Sequence, residues 1–234
     1  MRTAARIAVL AGALALPASA QAAPRADVMV VGKAKVLQAP RSVALKARTV
    51  RVGGHRCAVP ARSPLSALLA TGLKLALRDY ARCSRRVADA SGLYVKRVGP
   101  DTARGRDGWV YKVGHVTGSA GAADPYGARL RAGASLLWFW CRSTASGGCQ
   151  RTLDVKPAST HVAPRAPLRV TVRGYDDQGR GVAVGGATVS LGRARATTAA
   201  DGTATITAPA AGRARLAAQR TGLVRSFARE IVIG

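Results

Sequence analysis

In "PLRVTVRG", residues 167–174, Leu168, Val170 and Val172 point one way while Arg169, Thr171 and Arg173 point the other. A period of two closed by turn residues leaves a chain little choice but a half-buried antiparallel strand. The pattern returns in "GATVSL", with Ala187, Val189 and Leu191 inward, and in "GTATIT", with Ala204 and Ile206 inward. Asp177-Gln178-Gly179 and Asp201-Gly202 supply turns between such runs. Several short strands at this spacing predict a small all-β, immunoglobulin-like sandwich over residues 167–234.

What precedes that sandwich is different. "VKPASTHVAPRAP" carries Pro157, Pro164 and Pro167, which fix φ and cannot donate to a ladder, so residues 157–166 read as a linker. Eight of the ten aromatic residues fall between positions 80 and 140, which marks residues 27–156 as a separate unit with its own core. Within it, "ARTVRV" and "HRCAVP" flank Gly53-Gly54 and predict a β-hairpin. "SPLSALLATG" predicts a helix capped by Ser63, with Pro64 in its first turn and Gly72 at its end. "LKLALRDY", "GLYVKRVG", "GWVYKVG" and "ASLLWFWC" read as further strands. Hairpin, helix and strands together predict an α+β unit in which one helix covers one sheet face.

The N-terminus predicts export. Arg2 and Arg6 precede the apolar run Ile7–Leu16, and Ala18-Ser19-Ala20 and Ala20-Gln21-Ala22 offer cleavage sites, so residues 1–22 read as a signal peptide. No later run approaches the roughly 18 apolar residues of a membrane helix, so no transmembrane segment is expected. Four cysteines in an exported chain read as two disulfides, with three pairings open. The seven residues between Cys141 and Cys149 allow those two to meet, which leaves Cys57 for Cys83. A zinc site with His55 is disfavoured, because the cysteine spacings differ from those of common structural zinc sites. The net charge is +26, with Lys and Arg spread along the whole chain. Such a field attracts polyanions without selecting one, and 30 Arg against 7 Lys also fits an arginine-favouring coding bias.

A family resemblance joins four motifs in order: "VPARSPLSALLA", "GLYVKRVG", "DGWVYKVG" and "LRAGASLLWFWC". Over residues 44–142 the chain resembles the transcobalamin C-terminal-like domain of unknown function, a small β-grasp-like domain. It departs at Val113-Gly114-His115, where the family's Asn is missing, and at Gly133-Ala134, where its Asp is missing. Residues 166–234 resemble bacterial immunoglobulin-like and carboxypeptidase-regulatory-like modules through "DDQGRGVAVGGATVSL" and "TTAADGTATIT". The two resemblances imply a β-grasp-like α+β domain followed by an immunoglobulin-like sandwich that acts as spacer or adhesive module. Some surface modules lock themselves with Lys–Asn isopeptide bonds, but this chain has no Asn, and no Lys after Lys156.

The sites follow from periodicity and charge. Trp109, Tyr111 and Val113 share one strand face, and Leu136, Trp138 and Trp140 share another. In an alanine-rich chain such rings are valuable core, each burying about 150–250 Å². The competing reading is a partly open platform for a flat or sugar-like ligand, built from Trp109, Tyr111 and Tyr126, the last in the loop "GAADPYGARL". Arg104, Arg106, Lys112, Arg129, Arg131 and Arg142 are the bases beside these rings and the expected contacts to a polyanion. The three histidines and eleven acids show no spacing of an acid–base pair, nucleophile or metal set, so no enzyme activity, cofactor or metal is expected. The expected function is a secreted binding or adhesion protein of the cell envelope or extracellular space, contacting an anionic polymer. A dedicated nucleic-acid role conflicts with export. The alternative, implied only by the resemblance, is a small-ligand carrier of corrinoid type.

Overall fold

The computed structural model describes residues 22–118, 121–124, 127 and 129–234. Apart from Ala22, the expected signal peptide lies outside them, as does Tyr126.

The hairpin forms as its glycines require. Arg48–Val52 and His55–Val59 pair antiparallel around Gly53 and Gly54, whose φ values of 55° and 84° suit a two-residue primed turn. Ser63 caps the helix Pro64–Leu69, its Oγ accepting from the Ser66 N–H at 3.1 Å. The helix then stops, as Thr71 Oγ1 takes the Leu68 carbonyl at 2.7 Å and Gly72 turns left-handed at φ 78°. The main sheet of this unit runs in the order Val36–Ala44, Arg25–Val31, Ser135–Cys141, Gly108–Val113, Val116–Thr117. Its central strand, Ser135–Cys141, runs parallel to its neighbour Arg25–Val31, with Asp27 opposite Ser135 and Val31 opposite Phe139.

The α+β β-grasp expectation is corrected here. Among the described residues there are 19 strands, one α-helix of six residues and one 3-10 turn at Val87–Ala90. Six helical residues extend about 9 Å, against roughly 19 Å across a five-stranded sheet, so the helix cannot cover a sheet face. The inner face is closed instead mainly by strands: Val52, Cys57 and Val59 from the hairpin and Leu93, Val95 and Val98 from Leu93–Val98 join Leu65 and Leu68 over Val28, Val30, Leu136 and Trp138. The unit is nearly all β.

The second unit is a sandwich. Pro167–Tyr175 lies between Thr152–Pro157 and Thr203–Thr207 in one sheet, all antiparallel. In the facing sheet Arg229–Ile233, Gly212–Gln219 and Thr188–Leu191 run side by side. This division of strands is immunoglobulin-like. The inward residues predicted by alternation, Leu168, Val170, Val172, Ala187, Val189, Leu191, Ala204 and Ile206, all lie in its core. Residues 152–156, which the sequence assigns to the first unit, and Pro157, which it assigns to the linker, form a ladder of the second. Residues 157–166 are not wholly linker, because His161–Val162 pairs parallel with Arg229–Ile233. Pro157 fits because it closes its strand, where a missing N–H breaks no further ladder.

The two units meet through a third apolar cluster, in which Met29, Val31, Leu137 and Phe139 of the first unit pack with Val224 and Phe227 of the second. Both faces of Ser135–Cys141 are therefore buried. The disulfides are Cys57–Cys83 and Cys141–Cys149.

Candidate functional site

Antiparallel pairing sets Trp109 opposite Trp140 and Tyr111 opposite Trp138. The first pair meets edge to face at 5.8 Å and 88°, the second tilted at 5.3 Å and 45°, geometries that ring quadrupoles favour. Trp109 Nε1 donates to the Asp101 carbonyl at 2.9 Å and Trp138 Nε1 to the Pro64 carbonyl at 3.2 Å. Trp109 and Tyr111 are each 5% exposed. Burial raises the pKa of the Tyr111 hydroxyl, and the Asp124 carboxylate raises it further. A Cβ at Gly118 would enter the Tyr111 ring, so the chain passes there only as glycine.

The edges of these rings do reach a cleft of about 390 Å³, whose outer wall is Tyr80 and Tyr94. Those two tyrosines stand edge to face at 6.0 Å, and the Arg78 guanidinium lies 4.8 Å over the Tyr80 ring. At 64% and 36% exposure they are the open rings of this unit among the described residues. Their parity in the sequence carries the signal: Leu75 and Leu77 are the inward-facing side of their strand, so Tyr80 falls on the other, and Tyr94 lies between inward Leu93 and Val95. Arg129 is exposed beside a separate hollow that includes Pro60, Ser63 and Val87. The structure thus brings Trp109 and Tyr111 together and leaves Arg129 elsewhere.

Lys112 is not a surface base. It is fully buried, and its ammonium donates to the carbonyls of Asp176 at 2.7 Å and Tyr175 at 3.1 Å and to Thr152 Oγ1 at 3.3 Å. The Asp177 carboxylate lies 3.7 Å away and is itself held by the Cys149 N–H at 2.8 Å and Thr117 Oγ1 at 3.0 Å. Burial lowers the Lys112 pKa, while Asp177 and Asp176 act against that shift. Alternation put Lys112 on the face away from Trp109 correctly; that face is covered by the second unit rather than by water. Beside it His115 stacks on Tyr175 at 3.7 Å and 3°, with Nε2 3.8 Å from Asp154. Burial lowers the His115 pKa, Asp154 raises it, and Lys112 and Arg229 lower it again.

The remaining charge is lopsided. Asp79, Asp101, Asp107, Asp176, Asp177 and Asp201 each accept main-chain N–H groups of their own chain. Of the lysines and arginines among the described residues, only Lys112, Arg151, Arg213 and Arg229 stand within ion-pairing distance of a carboxylate. Arg104, Arg106, Arg131 and Arg142 are exposed. Among the described residues no three His, Cys, Asp or Glu side chains gather as a metal set, and no helix is long and apolar enough to cross a membrane.

No family model matches the chain, and no curated protein matches it. The transcobalamin-like resemblance finds no support in these comparisons. Two solved structures align with it. The D00-D0 domain of intimin covers 80% of this chain and 93% of its own at 17% identity and a TM-score of 0.25. The D0-D1 domain of intimin covers 89% and 97% at 14% identity and a TM-score of 0.27. Likenesses of this size carry no argument, and the immunoglobulin-like assignment of the second unit rests on its strand pairing.

Proposed function

We propose that this is an exported, non-catalytic binding or adhesion protein that holds an anionic polymer of the cell envelope or extracellular space. The carrying observation is the uncompensated positive surface: the chain's few carboxylates are largely committed to its own loops, while most arginines face solvent without an acid. Two disulfides support an oxidising compartment. The histidines sit apart, His55 at the hairpin turn, His115 stacked at the junction and His161 beside a serine turn, a dispersion that suits binding better than acid–base chemistry.

The test is co-sedimentation of the mature protein with its own cell envelopes across a salt series. Binding is expected at low ionic strength and is expected to weaken as the screening length falls from about 30 Å at 0.01 M to about 8 Å at 0.15 M. A protein that stays in the supernatant at every salt concentration overturns the proposal.

A further inference from the structure

Two turns, one from each unit, face each other across the junction. In the first, the Gly32 N–H donates to the Lys35 carbonyl at 2.8 Å. In the second, the Leu223 N–H donates to the Arg220 carbonyl at 3.2 Å, with Gly222 at the φ of 81° that a type II turn requires. The second turn is pinned to its sandwich: the Val224 N–H donates to the Arg151 carbonyl at 3.0 Å and the Leu153 N–H to the Val224 carbonyl at 2.8 Å. Between the turns lies a groove of about 220 Å³, with Trp140 and Gln150 in its lining. Gln150 fixes that part of the wall, donating to the Trp140 carbonyl and accepting from the Arg142 N–H, each at 2.7 Å.

Lys33, Lys35, Arg142, Arg220 and Arg225 line this groove, and no carboxylate does. The nearby Asp101 is occupied, its Oδ2 accepting from the Lys33 main-chain N–H at 2.9 Å. Among the described residues none of the five cationic side chains makes a hydrogen bond or ion pair with the protein, although Arg225 is half-buried. Lys33 is steadied only by the Trp140 ring, 4.1 Å from its ammonium. Like charges converging on one hollow repel one another, and an oxyanion placed among them removes that cost.

We propose that this groove is the seat of the polymer: a run of oxyanions, phosphate or carboxylate, on a linear chain that the two turns grip together. Arginine forks match either oxyanion with paired hydrogen bonds. The volume is below the range of about 300–1,000 Å³ usual for whole small ligands, which suits one charged unit of a chain passing through. This inference rests on the polymer-binding reading and adds the place and the chemistry.

The test uses the mature protein with two probes, inorganic polyphosphate and polygalacturonate, and reads affinity by titration at fixed low salt. One variant carries Lys33→Ala, Lys35→Ala, Arg220→Ala and Arg225→Ala. The other carries Arg51→Ala, Arg56→Ala, Arg85→Ala and Arg193→Ala, exposed bases that make no side-chain hydrogen bond among the described residues. Both lose the same charge, so long-range attraction falls equally, and circular dichroism checks that both fold. The expected result is a loss of affinity of about tenfold or more in the groove variant beyond that of the control, worth about 1.4 kcal/mol. Discrimination with polyphosphate alone assigns phosphate, with polygalacturonate alone carboxylate, and with both the shared oxyanion. Equal losses in the two variants overturn the groove while leaving a charge-driven binder. Wild-type protein that binds neither probe nor its own envelopes overturns the polymer reading itself.

Discussion

The two units of this protein solve the same shortage differently. Both are rich in alanine, which buries little area. The first unit compensates with large rings and cross-links: Trp109, Trp138 and Trp140 in its core and a Cys57–Cys83 bridge through it. The sandwich core of the second has neither, and relies on Val, Leu, Ile and Ala in alternation between two sheets. A regular sandwich can reach close packing from small side chains because every second residue meets the facing layer. The irregular first unit, with its short helix and hairpin folded over a mixed sheet, leaves spaces that only rings fill. Regularity and ring size are here alternative routes to one packing density.

All three tryptophans lie in the first unit, so fluorescence reports that unit while circular dichroism reports both, and the contrast can be attacked directly. The largest effect is expected for Trp138→Ala, which removes a side chain only 1% exposed and costs about 4 kcal/mol. The fluorescence transition of Trp109 and Trp140 should move to much lower denaturant while the sandwich's transition moves far less. Equal shifts in both signals would mean that the two cores are one. A smaller effect is expected for Lys112→Met, which leaves the Tyr175 and Asp176 carbonyls without this buried donor, at about 2 kcal/mol. The two units are expected to unfold together in the wild type and in separate transitions in the variant; coincidence preserved in the variant would show that the apolar cluster alone couples the units.

The smallest effect belongs to His115. Its folded pKa lies below the ordinary 6.5, so the unfolded chain takes up the proton first. The stability this gives is fully present above about pH 6.5 and is lost as pH falls toward the lower folded value. Denaturation midpoints measured from about pH 7.5 to about pH 5 should therefore decline, and His115→Phe, which keeps a ring on Tyr175, should flatten that part of the decline. An unchanged slope in the variant would assign the decline to the carboxylates.

How much of this was legible depended on whether a feature is local. The Gly53-Gly54 hairpin, the Ser63 cap and the alternating strands of the sandwich are decided within a few residues, and they stand as read. The parallel pairing of Arg25–Val31 with Ser135–Cys141 has no local signature, and without it the six-residue helix looked like the cover of a sheet. Pro157 drew the boundary too late because a proline closing a strand and one inside a linker look alike in sequence. At the site, period two sorted faces correctly but could not say what lies beyond them. By alternation alone Lys112 is a surface base, because an opposing unit and water leave the same pattern. Tyr80 and Tyr94 are legible by parity, but the most apolar strands point instead to the rings they carry. The groove could not be read at all, since Lys33 and Arg225 meet only through the junction.

The parallel ladder has a consequence for the order of events in the cell. Asp27 belongs to the first strand of the main sheet to be synthesised, yet it takes its place beside Ser135 only after the hairpin, the helix and the aromatic strand have been made. Closing so long a loop is entropically costly and slow. The centre of the main sheet therefore completes late, and until then the nascent polypeptide lacks the ladder that would make it too bulky to thread. Under the export proposed above, such a delay would act like a latch left open during translocation and shut on the far side.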